Sequence, residues 1–222
     1  MEQPRIEITA DGSPTLYLPE MDEHYHSVKG ALAESLHVFI QTGFRHTSAN
    51  PLTIFEAGFG TGLNAFLTLL ESETSRRKVI YYTIELYPLS IEQVNALQYP
   101  QITAPENARY FEAIHQAEWD TPVEISPYFT ICKIKDDLTR IALPAKSFGL
   151  IYYDAFAPEK QPDLWSEEIF SKISEAMCPG GILTTYCAKG EVRRKLQKSG
   201  FSVERLQGPP GGKREILRAT KL

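Results

Sequence analysis

The sequence predicts an α/β protein built on a doubly wound, mostly parallel sheet, and three observations predict it. From Thr53 onward, short apolar or β-branched runs alternate with segments of helical spacing. Between the first such run and the first such helix lies Gly58-Phe59-Gly60-Thr61-Gly62, with glycine at every second position. The last two strand-like runs, 201–205 and 215–219, have no helix between them, so they pair antiparallel at one edge.

Each element has a local reason. Residues 5–9 alternate, and Thr15-Leu16-Tyr17-Leu18 follows after Asp11-Gly12-Ser13-Pro14, so the chain opens on a hairpin. Residues 19–30 are too polar for a core strand and carry His24, Tyr25 and His26. Leu32, Leu36, Phe39 and Ile40 then recur at helical spacing, which predicts an amphipathic helix over 31–42. Residues 1–48 therefore read as an N-terminal extension, and 49–222 as the main domain. Strand 52–57 feeds a helix over 62–72 and then a strand over 79–85. Pro88 opens a helix to about Leu97. Arg109-Tyr110-Phe111 reads as a short strand and 112–118 as a helical turn. Strands follow at 128–134 and 148–153, the second apolar throughout. Ser166, followed by Glu167 and Glu168, starts a helix to about Met177. Pro179-Gly180-Gly181 turns the chain into a strand over 182–186. A helix over 190–199 ends at Gly200, ahead of the two final strands.

Composition narrows the function classes. With 222 residues, 42% hydrophobic and 23% charged, the chain is long enough for one full α/β core. No apolar stretch approaches about 18 residues and residues 1–11 lack a leader-like core, which argues against membrane insertion and secretion. Cys132, Cys178 and Cys187 are odd in number and form no C-x-x-C pair, which predicts a reducing, cytoplasmic setting. His24-x-His26 lacks a third ligand nearby, so no metal site is expected. Residues 189–222 hold ten basic residues against three acids. That local charge of +7 leaves −12 on the preceding 188 residues of a chain whose total is −5. The basic end reads equally as a polyanion-binding face or as a solvated helix surface.

The chemistry sits where strands end, because ligands of such sheets bind at the carboxyl ends of the strands. The dinucleotide fingerprint requires a third glycine where Leu63 stands, which disfavours a dehydrogenase. The acid-x-Gly-x-Gly-x-Gly form from Glu56 to Gly62 resembles instead the first motif of S-adenosylmethionine-dependent methyltransferases. A glycine turn that only packs a helix on a sheet is the plainer alternative. Glu56, Glu85, Asp136 and Asp154 each follow or close a strand, and four acids in that arrangement point to one ligand pocket. Glu85, 27 residues after Gly58, falls where an acid accepts ribose hydroxyls. Asp136 is placed for an adenine amino group, and Glu56 with the glycine loop for the methionine end.

Asp154-Ala155-Phe156-Ala157-Pro158 resembles the motif with which amino-group methyltransferases orient a nitrogen. Displacement at a sulfonium methyl needs a nitrogen lone pair in line with the C–S bond, and an alkyl ammonium has none until it loses a proton. A carboxylate holds the amine and stabilises the charge that forms on it.

Five runs together resemble one family. They are Glu56 to Asn64, Asp154-Ala-Phe-Ala-Pro-Glu-Lys-Gln-Pro-Asp-Leu-Trp165, Pro179-Gly-Gly181, Val192-Arg-Arg-Lys-Leu-Gln197 and Gly212-Lys-Arg-Glu215. From about Tyr17 onward the chain is similar to the tRNA 5-aminomethyl-2-thiouridine methyltransferases, the methyl-transferring half of a bifunctional wobble-uridine enzyme. The resemblance implies a Rossmann-like class I methyltransferase fold, with a mostly parallel seven-stranded sheet, a C-terminal antiparallel hairpin and a small N-terminal extension. It implies methyl transfer from S-adenosyl-L-methionine, without flavin or metal, to the aminomethyl nitrogen of the wobble uridine. The implied partner is the anticodon region of tRNA, with no membrane involved.

Carried over by position, Asp154 matches the catalytic acid. Glu56, Gly58, Phe59, Gly60, Thr61, Gly62, Asn64 and Glu85 fall at cofactor positions. This chain reads Lys135-Asp136-Asp137 where the family usually reads Gly-Asp, so both Asp136 and Asp137 stand for the adenine contact. Tyr25, His26 and Ser27 are expected to close over the site, with Pro158 beside it. Phe156 and Trp165 either line a uridine pocket or belong to the core. Lys189, Arg193, Arg194, Lys213 and Arg214 are the candidates for the tRNA backbone. The oxidase half is absent after Leu222, which implies a free-standing methyltransferase unable to trim a carboxymethyl group. Competing readings are an aminopropyltransferase of the spermidine-synthase type, a methyltransferase on another amine, and a non-catalytic cofactor- or RNA-binding module.

Overall fold

A computed structural model describes residues 4–222. The chain opens with β1 (Arg5–Ile8), β2 (Pro14–Leu18) and β3 (Glu23–His24), a small antiparallel sheet. Helix α1 (Ala31–Ser35) runs on as a wider π turn over Leu36–Gln41. Then follow β4 (Leu52–Ala57), α2 (Leu63–Ser75), β5 (Val79–Ile84), α3 (Ile91–Leu97), α4 (Tyr99–Thr103) and α5 (Ala108–Gln116). Next come β6 (Pro122–Ser126), β7 (Phe129–Ile134), β8 (Phe148–Tyr153), α6 (Glu167–Ala176) and β9 (Met177–Thr185). The chain closes with α7 (Gly190–Lys198), β10 (Phe201–Gln207) and β11 (Glu215–Lys221).

The main sheet has the order β10-β11-β9-β8-β4-β5-β7-β6. Its centre, from β9 to β7, is parallel, and both edges are antiparallel. The expected C-terminal hairpin is present, with β11 inserted between β9 and β10. The sheet has eight strands rather than seven. The eighth, β6, escaped because Pro122-Val123-Glu124-Ile125-Ser126 is short, half-exposed and opened by a proline, which only an edge strand tolerates.

Two other sequence expectations are corrected. Arg109-Tyr110-Phe111 is helical, inside α5, because Phe111 and Ile114 are buried one turn apart against the sheet. Helix α3 begins after Ser90 and not at Pro88. The Ser90 hydroxyl accepts the Gln93 N–H at 3.3 Å and the Gln93 side chain accepts the Ser90 N–H at 2.8 Å, a reciprocal cap that fixes the start.

Strand alternation divides the core into two layers. Ile54, Leu150 and Tyr152 face one side, where Phe66 and Leu69 of α2 and Ile114 of α5 cover them. Phe55, Ile151 and Tyr153 face the other, under Phe170 and Ile173 of α6 and Leu196 of α7. Leu16, Ala31, Phe39 and Ile40 from the N-terminal segment join the first layer, so that segment is packed beside the strand ends. Among the described residues, no helix is long and apolar enough to cross a membrane.

Candidate active site

The carboxyl ends of β4, β5, β7 and β8 open into a cavity of about 1060 Å³. Gly58, Phe59, Gly60, Thr61 and Asn64 line it from the loop after β4, Glu85 from β5, Asp136 and Asp137 from β7, and Asp154 from β8. Glu85 is held facing the loop: Gly60 N–H donates to its Oε2 at 3.0 Å and Tyr87 N–H to its Oε1 at 2.9 Å. The Asp137 carboxylate accepts the Thr139 N–H at 2.8 Å and hydroxyl at 2.7 Å, and these bonds hold it below the ordinary carboxylate range. Asp136 is exposed, with one oxygen accepting the Asp137 N–H at 2.7 Å.

Gly62 does not line the cavity; it forms the left-handed hinge into α2, with φ of +73°. A Cβ there would lie 2.6 Å from His115 Nε2, a side chain packed between Phe59 and Phe111. Beneath it, buried Lys133 donates to the His115 carbonyl at 2.6 Å, and burial lowers the Lys133 pKa to about 8.

Glu56 departs from expectation. It is fully buried beneath the loop and is not among the residues that line the cavity. Its Oε2 accepts the Thr83 hydroxyl at 2.8 Å, and burial raises its pKa to about 8. The register of β4 turns this side chain into the sheet beside Thr83 and Tyr152.

Asp154 follows β8 directly. Its Oδ2 accepts Asn64 Nδ2–H at 2.8 Å. Burial, then the nearby Glu34 and Glu56 carboxyls, pushes its pKa well above the usual range. It stands where the large cavity meets a second one of about 590 Å³; Tyr25, His26, Ala155 and Phe156 also line both. The Tyr25 ring meets Phe156 edge-on, with centroids 5.0 Å apart.

The remaining predicted residues separate. Phe156 lines both cavities, whereas Trp165 is fully buried against Tyr153 and Phe170. Trp165 reaches the site by donating Nε1–H to the Phe156 carbonyl at 2.7 Å and by an edge-on contact with the Tyr186 ring. His26 lines both cavities yet is only 8% exposed. It is a buried peg, its ring nitrogens 3.4 Å from the Thr15 and Thr61 hydroxyls, and burial lowers its pKa to about 4, leaving it neutral. It ties the N-terminal segment to the glycine loop. Its neighbour His24 pairs with Glu7 at 2.9 Å. Ser27 and Pro158 line the second cavity, as do Lys189, paired with Glu159, and Lys213. Arg214 lies with Lys213 on the hairpin tip between β10 and β11. Arg193 is half-buried and Arg194 exposed, and neither lines a cavity. Among the described residues, no group of three His, Cys, Asp or Glu is arranged to hold a metal ion.

Glu34 and Tyr186 are among the lining residues that the sequence did not reveal. Glu34 sits on the buried stripe of α1 with Ala31 and Ser35, an acid at a core position that a helical wheel exposes. Tyr186, just after β9, donates its hydroxyl to the Ala155 carbonyl at 2.8 Å, and nothing in its local sequence marks it. Taken together, the geometry offers a ligand pocket with ribose- and amine-type acceptors, and an acid of raised pKa where that pocket meets a smaller aromatic chamber.

The tRNA 5-methylaminomethyl-2-thiouridine biosynthesis bifunctional protein MnmC of Azoarcus sp. (strain BH72) is 31% identical over 232 residues, a match that spans 98% of this chain and 35% of the relative. The chain thus spans about a third of the length of the curated relatives it matches. MNMC2 from Aquifex aeolicus shares the fold, with a TM-score of 0.76 and 24% identity over 99% of this chain and 70% of its own. Spermidine synthase from Thermotoga maritima shares it more distantly, with a TM-score of 0.59 and 14% identity over 100% of this chain and 71% of its own. A family model described as S-adenosyl-L-methionine-dependent methyltransferase matches residues 93–222, more than half of the sequence. The chain belongs to that family of S-adenosyl-L-methionine-dependent methyltransferases.

Proposed function

We propose that this chain transfers a methyl group from S-adenosyl-L-methionine to the aminomethyl nitrogen of 5-aminomethyl-2-thiouridine at the wobble position of tRNA, giving 5-methylaminomethyl-2-thiouridine. The observation that carries the reading is the place of Asp154, at the junction of a cofactor-sized cavity and a smaller chamber walled by Tyr25 and Phe156. The names of the relatives supply the acceptor.

The larger cavity fits the cofactor. Glu85 accepts the ribose hydroxyls, and Asp136, the more exposed of the two neighbouring aspartates, takes the adenine amino group. Gly58, Phe59, Gly60, Thr61 and Asn64 surround the methionine end, and the buried Asn64 Oδ1, without a partner among the described residues, is an acceptor in waiting. Gly62 serves by shaping the loop and Glu56 by bracing it from below. When bound, the cofactor supplies an electrophilic methyl on a sulfonium sulfur.

Asp154 orients the acceptor amine and takes its proton, freeing the lone pair that forms the new N–C bond. Burial raises the Asp154 pKa, and the positive charge of an arriving ammonium offsets that burial and favours the carboxylate form that takes the proton. Asn64 fixes its rotamer. Tyr25 and Phe156 stack the uracil ring, an interaction worth about 1–3 kcal/mol per base. Lys189, Arg193, Arg194 and Arg214 meet tRNA phosphates, while Ser27, His26, Pro158 and Trp165 keep the walls in place. Acting on tRNA with free cysteines at 132, 178 and 187, the protein works in the cytoplasm.

The test is methyl transfer from labelled S-adenosylmethionine to tRNA carrying a 5-aminomethyl wobble uridine, with unmodified tRNA and putrescine alongside. The reading expects incorporation into the aminomethyl tRNA alone. Label in unmodified tRNA or in putrescine, or none despite cofactor binding, refutes the substrate.

A further inference from the structure

The smaller chamber has the wrong sign for a surface that meets only phosphates. Four carboxylates line it, from Glu23, Glu34, Asp154 and Glu215, against Lys189 and Lys213. Both lysines are already paired, Lys189 with Glu159 and Lys213 with Glu34, and of the acids Glu215 is paired with Arg205. Glu34 is the most unusual of the four, because it is 7% exposed on a helix stripe that otherwise faces the core. Its carboxylate accepts Ser27 N–H at 2.9 Å and Lys213 Nζ–H at 3.0 Å. The Lys213 ammonium in turn lies 3.6 Å from the centroid of the Tyr186 ring. A carboxylate and an aromatic face thus hold a cation inside the chamber, and that cation comes from a hairpin tip rich in glycine and proline.

We propose that Glu34 is a second acceptor-recognition carboxylate, which makes the chamber select an ammonium-bearing acceptor over a neutral one, and that Lys213 is the resident cation offsetting it in the empty site. The inference rests on the reading that this chamber receives the acceptor amine. An alkyl ammonium stays charged near neutral pH until Asp154 takes its proton. On entry it meets Asp154 at the junction and the field of Glu34 across the chamber, while Lys213 opposes it. The two partners of one ion pair therefore act with opposite sign on the same choice. A pair that only clasped the N-terminal helix to the C-terminal hairpin would behave differently, since breaking it from either side has the same consequence.

The experiment measures Kd for two anticodon stem-loops, one with 5-aminomethyluridine and one with 5-hydroxymethyluridine at the wobble position. Both are measured in the presence of S-adenosylhomocysteine, so no methyl is transferred. The stem-loops share every phosphate, so backbone contacts cancel in the ratio. The wild-type protein is expected to prefer the amine by about tenfold. Glu34→Gln keeps an acceptor for Ser27 and removes the charge, and should cut that preference by about fivefold. Lys213→Gln should raise it. A ratio unchanged in both variants, or shifted in the same direction by both, overturns the proposal. If the wild-type protein methylates the aminomethyl tRNA while Glu34→Gln leaves the ratio unchanged, this inference alone fails. If it neither binds the amine stem-loop nor methylates the tRNA, the substrate reading fails and takes this one with it.

Discussion

Gly62 and Gly180 share a positive φ, +73° and +74°, yet their surroundings are opposite. A Cβ on Gly180 would meet nothing within 4 Å, so Gly180→Ala isolates the backbone cost of a left-handed L-residue, about 1–2 kcal/mol. A Cβ on Gly62 would lie 2.6 Å from His115 Nε2, 2.9 Å from its Cε1 and 3.1 Å from Phe59 Cζ. His115 has no room to retreat, because Phe111 and Phe59 pack its ring with centroids 4.6 and 5.2 Å away and Lys133 pins its carbonyl. Overpacking of that kind adds about 1–3 kcal/mol, so Gly62→Ala should cost about 2–5 kcal/mol in all. Urea unfolding of both variants reads the difference directly, provided the m-values agree. The same displacement carries the Gly60 amide away from Glu85, so Gly62→Ala should also weaken cofactor binding while Gly180→Ala leaves it alone. Equal losses of stability, with cofactor affinity unchanged in both, would refute the reasoning.

Three further expectations follow from single contacts. Glu85→Gln should raise the cofactor Kd by about tenfold or more, the scale of a charged hydrogen bond, with a smaller effect on kcat; isothermal titration showing an unchanged Kd contradicts the ribose assignment. His26, with a folded pKa of about 4 against an ordinary 6.5, takes up a proton on unfolding, so its contribution is complete above pH 6.5 and is lost as pH falls towards 4. His26→Asn should flatten the stability curve in that window by about one proton, or about 1.4 kcal/mol per pH unit, and parallel curves would contradict a buried neutral peg. Trp165→Phe leaves the Phe156 carbonyl unpaired and should cost about 1–3 kcal/mol while raising the acceptor KM; an unchanged KM would show that Phe156 needs no such brace.

The parallel centre of the fold was legible because its strands are buried on both faces. Residues 148–153 read as an apolar run and 52–57 as an apolar and β-branched run that includes an acid, and both are strands with those same bounds. The stretch around 100–125 was not legible, because α4, α5 and β6 are short and partly exposed, and their pattern arises from contact with neighbours distant in sequence. The site divides along the same line. Glu85, Asp136 and Asp154 stood at strand ends, where topology alone aims a side chain at the ligand side. Glu56 also stood at a strand end, but the pleat turned it inward, a difference of one register position that no motif encodes. Glu34 and Tyr186 reach the chamber through tertiary packing between the two ends of the chain, so local sequence spacing had no access to them.

The central claim is that Asp154 handles the acceptor nitrogen, and the most direct measurement is single-turnover methyl transfer to aminomethyl tRNA by the wild-type protein and Asp154→Asn. The asparagine preserves shape and a carbonyl for the Asn64 bond but removes the base. The account predicts a rate lower by about 10²–10⁴ with cofactor affinity unchanged. A variant that transfers methyl within a few-fold of the wild-type rate would contradict it.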